Sequence, residues 1–247
     1  MITFYRKISF FKLRETWFNY QFSVSDIFGI NVFRDVKNVD RYIIPGVKEI
    51  SHTIQIDLEQ DIEAIASQFS EDIRRKVRKA EKEGVTCYFH NETDKFVAFI
   101  NDFATKKKTF TTSKRKMIEL GEYVKMSFAE YDGRILAAHS FLVDEEMMIV
   151  TGLHSGTIRL HEGADKSMVG RAHKMLIVKN IACFKERGFK VFDFGGYALN
   201  TKDESMKGIN NFKLSFGGKV VPCINYYSYS YWILRKAASL LGLSGRL

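Results

Sequence analysis

A short apolar segment that ends in a carboxylate and two glycines constrains this chain more than any other feature. The segment Val191–Phe194 has the sequence Val-Phe-Asp-Phe and is followed directly by Gly195-Gly196. Upstream, an amphipathic stretch from Ser167 to Arg187 ends at Gly188, a residue type favoured just past a helix. A helix, a glycine and a buried strand are typical of an α/β unit, in which ligands bind beyond the strand's carboxyl end. We therefore expect a binding site around Asp193.

Hydrophobic alternation and turn signals predict the fold around this segment. Three segments, Val124–Phe128, Ile135–Val143 and Met147–Leu153, have the pattern of strands, and Asp132-Gly133 is a strong hairpin signal between the first two. Amphipathic helices are predicted on either side of this three-stranded meander. The resulting order of helices and strands predicts a mixed α/β fold with a partly antiparallel sheet.

Two motifs carry a resemblance to a known family, and they occur in the order that the family shows. The carboxyl-terminal motif consists of residues 192–197, FDFGGY, and residues 208–218, GINNFKLSFGG. Upstream, residues 74–85, RRKVRKAEKEGV, are similar to the pattern R-x-x-I-R-K-A-x-x-x-G-V. Together these motifs resemble Fem-type (FemAB) aminoacyltransferases and their relatives in the GNAT acyltransferase superfamily, over residues 50 to 225.

The resemblance implies a domain organisation and a fold. It implies a GNAT-like acyltransferase fold, α/β with a central mixed sheet and helices on both faces, formed by residues 58–247. Residues 1–57 would be an amino-terminal extension packed on that domain. The chain has only two prolines and no Gly/Ser-rich linker, which favours one compact domain overall.

Composition limits the partners and the compartment. The net charge of +9 favours an anionic partner, such as coenzyme A, a nucleotide-sugar, a tRNA acceptor stem or anionic lipid. The three cysteines are far apart, and neither a zinc site nor a disulfide framework is indicated. We expect no metal, no export signal in residues 1–12 and no membrane-spanning segment, and therefore a cytoplasmic protein.

The tail from Tyr226 to Leu247 has two interpretations. Apolar side chains there lie near the basic Arg235 and Lys236; they are Trp232, Ile233, Leu240 and Leu241. Such a segment is typical of an interfacial helix that contacts the inner face of a membrane peripherally. It is also typical of a helix that docks on its own domain.

The resemblance also implies where a donor binds. In GNAT enzymes the acyl donor, usually acyl-CoA, lies where two parallel strands splay apart, and helix N-terminal amides hold its pyrophosphate. Here Met147–Leu153 and Val191–Phe194 would form that cleft, with acetyl-CoA or another acyl-CoA as donor. The candidate cofactor-binding residues are Arg159, Gly163, Lys166, Ser167, Gly170 and Arg171. The usual motif Q/R-x-x-G-x-G/A is not matched, because residues 159–164 contain one residue too many, and ordinary loop charges remain an alternative.

Three residues are candidates for catalysis. By resemblance Lys213 lies at the acyl-transfer centre, where an ammonium stabilises a developing oxyanion; a surface lysine is the alternative. Asp193 is suited to accept the proton of an incoming amine, or to cap the turn that follows it. Tyr197 is a candidate acid toward the leaving group. His139 and His154 lie on predicted strands, where a histidine is usually a core residue.

The acceptor residues rest on the resemblance. Arg74, Arg78 and Lys79 match family positions near the acceptor pocket, and arginine binds phosphate through paired donors. The same side chains also suit a solvated basic helix face. Asn211, in the motif that contains Lys213, is a further candidate for substrate binding.

These observations support an N-acyltransferase that moves an acyl group from acyl-CoA directly to an amine of a cell-envelope precursor. The acceptor would be a nucleotide-sugar or a lipid-linked precursor, most simply an amino sugar. Two alternatives stay open: a Fem-type transferase that uses aminoacyl-tRNA on a peptidoglycan precursor, and a non-enzymatic basic module that binds RNA or anionic membrane. No Ser-His-Asp order or metal-ligand spacing indicates a hydrolase or metalloenzyme.

Overall fold

The computed structural model describes residues 2–8, 11–18, 26, 28–36 and 46–240. The chain divides into two compact units, which we call the terminal unit (residues 1–53 and 221–247) and the core unit (residues 54–220). The boundary at residue 57 between an extension and a transferase domain stays a prediction.

Ten strands and seven α-helices are found among the described residues. The strands are β1 (Ile2–Ile8), β2 (Phe11–Trp17), β3 (Ile30–Val36), β4 (Val47–Asp57), β5 (Thr86–Phe89), β6 (Val124–Tyr131), β7 (Arg134–Asp144), β8 (Ile149–Thr157), β9 (Val191–Tyr197) and β10 (Lys219–Tyr227). The helices are α1 (Ile62–Gln68), α2 (Glu71–Lys82), α3 (Thr93–Lys107), α4 (Lys114–Leu120), α5 (Lys166–Glu186), α6 (Glu204–Leu214) and α7 (Tyr229–Leu240).

The sheet of the core unit is mixed, as predicted. Its strands follow the order β4-β9-β8-β7-β6-β5, and β4 contributes only residues 54–57 to this unit. The strands β5, β6, β7 and β8 pair antiparallel in sequence order, and β8 and β9 are parallel. The predicted hairpin turn is present, with Asp132 and Gly133 both at positive φ.

Helices cover both faces of this sheet because strand residues alternate between two apolar clusters. On one face Phe128 of β6 packs with Phe96 and Ile100 of α3. On the other face Phe141 of β7 packs in a larger cluster with residues of α1, α2 and α5, among them Phe184. The prediction of a mixed sheet with helices on both faces is confirmed.

The terminal unit contains its own sheet segment and the helix α7. Its strands follow the order β1-β2-β3-β10-β4, with β2 and β3 parallel. The buried Tyr231 of α7 stacks on Tyr227 of β10, with ring centroids 5.6 Å apart. Ile233 and Leu240 are exposed, while Leu241 lies outside the described residues. No helix in the described part of the chain is long and apolar enough to cross a membrane, and membrane contact by this tail stays a prediction.

Candidate active site

The parallel strands β8 and β9 separate soon after they begin to pair. Their register comprises Ile149 with Val191, Val150 with Phe192 and Thr151 with Asp193, and no later pair. Both strands continue, to Thr157 and Tyr197. A cavity of about 770 Å³ lies where they part, at the place the sequence indicated for a donor cleft.

The walls of the cavity combine aromatic and cationic side chains. Residues of β8, β9, α5 and α6 form most of the lining, and the phenylalanines among them are Phe103, Phe141, Phe192, Phe194 and Phe212. The basic lining residues are Lys107, Arg159, Lys174 and Lys213, against the single carboxylate of Asp193. Such a cavity suits a ligand with an apolar portion and an anionic group.

Asp193 is fully buried and holds the turn that follows it. Its carboxylate accepts hydrogen bonds from the main-chain N–H of Gly195 at 2.7 Å and from Nε2 of Gln55 at 2.8 Å. Gly195 has a φ of +70°, and a Cβ there would lie 3.1 Å from the Gly152 carbonyl oxygen. Glycine is therefore required where the strands part, both for the left-handed backbone and for the close approach.

Lys213 projects from α6 toward the same turn. Its Nζ donates to the carbonyl oxygens of Gly195 at 3.2 Å and Gly196 at 2.7 Å. Burial lowers the pKa of Lys213, and the nearby Asp193 carboxylate opposes that shift. An ammonium has three N–H donors, so one remains without a partner among the described residues. The structure thus brings Asp193 and Lys213 to one site.

The other motif candidates lie away from the cavity lining. Tyr197 is partly buried at the end of β9, and Asn211 is exposed on α6. The neighbouring Asn210 is buried, and its side chain bonds the main-chain N–H and carbonyl of Ala198 at 3.2 Å and 2.9 Å. The roles of Tyr197 and Asn211 stay predictions.

The first amides of α5 already have a partner. The carboxylate of Asp165 accepts from the N–H groups of Ser167 at 2.8 Å and Met168 at 3.0 Å. These backbone bonds lower the pKa of Asp165, so a negative charge occupies the helix start. Neither Gly163 nor Lys166 lines the cavity, and Ser167 does not either. The carboxylate of Asp165 therefore engages amides that the resemblance assigned to a pyrophosphate.

The remaining candidates for cofactor binding divide into two groups. Gly170 and Arg159 line the cavity. Arg171 is buried and gives two donors to the Glu83 carboxylate, at 2.7 Å and 2.8 Å, and a third to Oγ of Ser167 at 2.6 Å. The guanidinium of Arg171 thus links α5 to the end of α2. A role for Arg171 in donor binding stays a prediction.

The candidate acceptor residues on α2 are exposed and do not line the cavity. Arg74 donates to the Ser67 carbonyl at 3.3 Å, and Lys79 lies 3.8 Å from Glu83. Arg78 is exposed as well. Their part in acceptor binding stays a prediction.

A group of polar side chains in the cavity wall was not singled out from the sequence. Oγ of Ser155 on β8 lies 3.1 Å from Nε2 of His173 on α5. The His173 ring stacks on Phe212 with centroids 5.1 Å apart and meets His139 edge-on at 5.0 Å. Burial lowers the pKa of His173 to about 4, helped by the nearby Lys174. A lone histidine on a helix gives no signal in a sequence, because its partners come from distant strands.

Comparison with known proteins identifies the fold. No protein-family model and no curated protein matches this sequence. Among solved structures FemX aligns with a TM-score of 0.67 and 11% identity, over 95% of this chain and 85% of that chain. The chain shares the fold of FemX.

Further structures share this fold. The C-terminal domain (DUF2156) of a protein described as a lysylphosphatidylglycerol synthetase from Agrobacterium fabrum aligns with a TM-score of 0.62 and 12% identity, over 99% of this chain and 86% of that one. L-PGS from Bacillus licheniformis gives a TM-score of 0.62 and 13% identity, with 99% and 86% covered. At these identities the likeness concerns the fold.

Proposed function

We propose that this chain is a transferase that moves an acyl or aminoacyl group from an activated donor to an amine of an anionic cell-envelope precursor. The observation that carries the proposal is the cavity between the separated ends of β8 and β9, with the Lys213 ammonium in its wall. The fold shared with FemX supports it.

The chemistry follows from this arrangement. A donor carbonyl placed between the strands is attacked by the amine nitrogen, and negative charge develops on the carbonyl oxygen. The N–H of Lys213 that has no partner among the described residues is suited to bind that oxygen, since donors held in a partly dry site stabilise it strongly. Holding both reactants in one cavity supplies a further large part of the rate.

The geometry favours a positioning role for Asp193 over the predicted role as proton acceptor. Its oxygens already accept hydrogen bonds from Gly195 and Gln55, and the residue is fully buried. Both hydrogen bonds hold the carboxylate in place and engage the oxygens that would have to receive the proton. Asp193 would instead fix the turn whose carbonyls orient Lys213.

The donor that we favour is an aminoacyl ester of tRNA, the second interpretation of the sequence. The reason is Asp165, whose carboxylate takes the helix N-terminal amides that would otherwise bind the pyrophosphate of CoA. Basic lining residues such as Arg159 and Lys174 suit the phosphates of either a tRNA end or an acceptor. The fold similarity to FemX and to a lysylphosphatidylglycerol synthetase, together with the sequence resemblance to Fem-type aminoacyltransferases, agrees with aminoacyl transfer to an envelope component. Acyl-CoA remains the second candidate donor.

A transfer assay with two labelled donors tests the proposal. The full chain is incubated with total tRNA charged with radioactive amino acids, or with radioactive acetyl-CoA, and with nucleotide amino sugars or peptidoglycan precursors that carry a free amine. We expect label to pass from aminoacyl-tRNA to an acceptor, and Lys213→Met to lower the rate by about 10²–10³-fold. Lys207→Met is the matched control, because Lys207 lies on the same helix but pairs with Glu204 at 2.7 Å. Transfer from acetyl-CoA alone would select the second donor, and no transfer from either donor would contradict the proposal.

A further inference from the structure

We propose that Ser155 and His173 together accept the proton that the incoming amine loses, the hydroxyl of Ser155 passing it to Nε2 of His173. This inference rests on the proposed transferase function and deepens it, because it assigns the general base of the cavity. The two residues were not candidates from the sequence.

The strand register and the long helix bring these groups together. Ser155 on β8 pairs with His139 on β7, so both side chains lie on the same face of the sheet. Helix α5 packs on that face and places His173 against both of them, with Oγ of Ser155 3.1 Å from Nε2 of His173. Ser155 is exposed and lines the cavity, so its hydroxyl is within reach of a bound amine.

The other proton acceptors that line the cavity are less suitable. Asp193 is fully buried with its carboxylate engaged. His139 is 3% exposed. His154 is bound through Nδ1 to Oγ of Ser140 at 2.7 Å and packs against Phe96 below α3. His173, connected to the cavity by an exposed hydroxyl, is therefore the base that geometry favours.

Further buried polar groups support the His173 ring. The amide of Asn180, seven residues along α5, lies 3.0 Å from Nδ1 of His139, and the His139 ring contacts His173 edge-on. Nε2 of His139 and Oδ1 of Asn180 have no hydrogen-bond partner among the described residues. Unpaired polar groups of this kind are rare in buried regions of folded proteins. His139 and Asn180 are positioning residues in this account.

The protonation state of His173 leaves one ring nitrogen available to accept a hydrogen bond from Ser155. Burial lowers the pKa of His173 to about 4, so the imidazole is neutral near pH 7 and one ring nitrogen has a free lone pair. If the Ser155 hydroxyl donates to Nε2, the ring proton lies on Nδ1. This tautomer follows from the proposal and is open to direct observation.

The proton and the bonds balance in the proposed step. The amine nitrogen forms a bond to the donor carbonyl carbon and gives a proton to Oγ of Ser155, while the Ser155 hydroxyl proton moves to Nε2 of His173. When the tetrahedral intermediate collapses, the bond from the carbonyl carbon to the leaving oxygen or sulfur breaks. The imidazolium then returns its proton to that leaving group through Ser155, and the enzyme is regenerated.

The first test is the tautomer of His173 in the full chain. Long-range proton–nitrogen NMR of histidine-labelled protein near neutral pH, assigned with His173→Gln, should show an unprotonated Nε2 and a protonated Nδ1. A proton on Nε2 would overturn the proposal, because Ser155 could not then donate to that nitrogen. This measurement does not depend on any transfer activity.

The second test uses p-nitrophenyl acetate as a donor probe and glycinamide as the amine, with the N-acetylated product measured by mass spectrometry. We expect His173→Gln to lower kcat by about 10²-fold with KM little changed, and Ser155→Ala to lower it by about 10-fold. Ser155→Thr keeps a hydroxyl and should retain most activity. His90→Gln is the control, since His90 is exposed and pairs with Glu92 at 2.9 Å.

Three outcomes of these tests would count against the proposal. Equal rates for the wild type and His173→Gln would overturn the assignment of the base. An acetyl group found on Ser155 would also overturn it, because Ser155 would then be a nucleophile. If the wild type shows the expected tautomer but no turnover of the probe or of the natural donors, the transferase function fails, and the catalytic role of the pair with it.

Discussion

At the scale of single residues, glycines with positive φ or close backbone neighbours fix the geometry of the site. Gly195 allows β8 and β9 to part, and Gly217 allows the chain to leave α6 and enter β10. Gly217 has a φ of +81°, and a Cβ built there would lie 2.4 Å from Cβ of Gln68. The glycines of the motif are thus explained by backbone conformation and contact.

Replacing Gly217 should therefore destabilise the core unit. We expect Gly217→Ala to lower the free energy of unfolding by about 2–4 kcal/mol, since both the left-handed backbone and the contact with Gln68 oppose a Cβ. Gly208→Ala is the matched control: Gly208 lies within α6, a Cβ added to it would have no atom within 4 Å, and alanine favours a helix by about 1 kcal/mol. Urea unfolding measures the free energy of unfolding of both variants, and equal values for the two would contradict this account.

Sequence reasoning reached some residues of the site and missed others for a physical reason. Asp193 and Lys213 both lie in the carboxyl-terminal motif. The short segment between β9 and α6 returns the chain so that Lys213 contacts the turn at Gly195 and Gly196. His173 depends on Ser155, and Ser155 faces His139 only because the register of β7 and β8 shifts between Ser140 and Phe141. Such an irregularity is set by long-range packing and leaves no periodic signal in the sequence.

At the scale of elements, the start of α5 differs from the sequence interpretation. The sequence favoured Ser167 as the first residue of the helix, whereas the helix begins at Lys166 and Asp165 is its N-cap. An aspartate accepts hydrogen bonds from the first amides and also favours the positive end of the helix dipole. The meander β6–β8 was predictable, because its alternation and its Asp-Gly turn are local signals.

The same region contains an ion pair that connects two helices. Arg171 of α5 is 7% exposed and gives a bidentate contact to Glu83, just past α2. Removing one partner leaves the other charge partly buried, so we expect Arg171→Met and Glu83→Gln each to lower the free energy of unfolding by about 1–3 kcal/mol. A double-mutant cycle should show coupling of about 1 kcal/mol or more.

Lys79→Ala provides the control for this cycle, because the exposed Lys79 lies 3.8 Å from the same carboxylate. Its effect should stay within about 0.5 kcal/mol. Additive effects of the two main variants would show that Arg171 and Glu83 do not stabilise each other.

At the scale of the whole molecule, three histidines with lowered pKa values predict an acid-sensitive fold. Burial lowers the pKa of His154 and of His173 to about 4, and that of His139 well below its usual value of 6.5. At a pH between about 4 and about 6.5 these histidines are protonated in the unfolded chain and neutral in the folded chain. The unfolded chain therefore binds more protons, and the free energy of unfolding rises with pH. The stabilisation is present above about pH 6.5 and is lost as the pH falls toward about 4.

Urea unfolding between about pH 7 and pH 4.5 measures this dependence, and each histidine adds a slope of at most about 1.4 kcal/mol per pH unit. His173→Gln should flatten the dependence, because it removes one of the three histidines with a lowered pKa. A free energy of unfolding that does not change across this range would contradict the neutral state of these rings in the folded chain.

The central claim is that the donor binds between the parted strands, and filling that space tests it most directly. Gly170 lies on α5, lines the cavity and has no atom within 4 Å of a Cβ built on it. Phenylalanine there should project into the cavity without disturbing the helix, whereas alanine should leave the space open. The measurement is the transfer rate from the preferred donor, compared between Gly170→Phe and Gly170→Ala. We predict that Gly170→Phe loses transfer by about 10²-fold or more while its melting temperature equals that of Gly170→Ala; equal transfer rates in the two variants would contradict the claim.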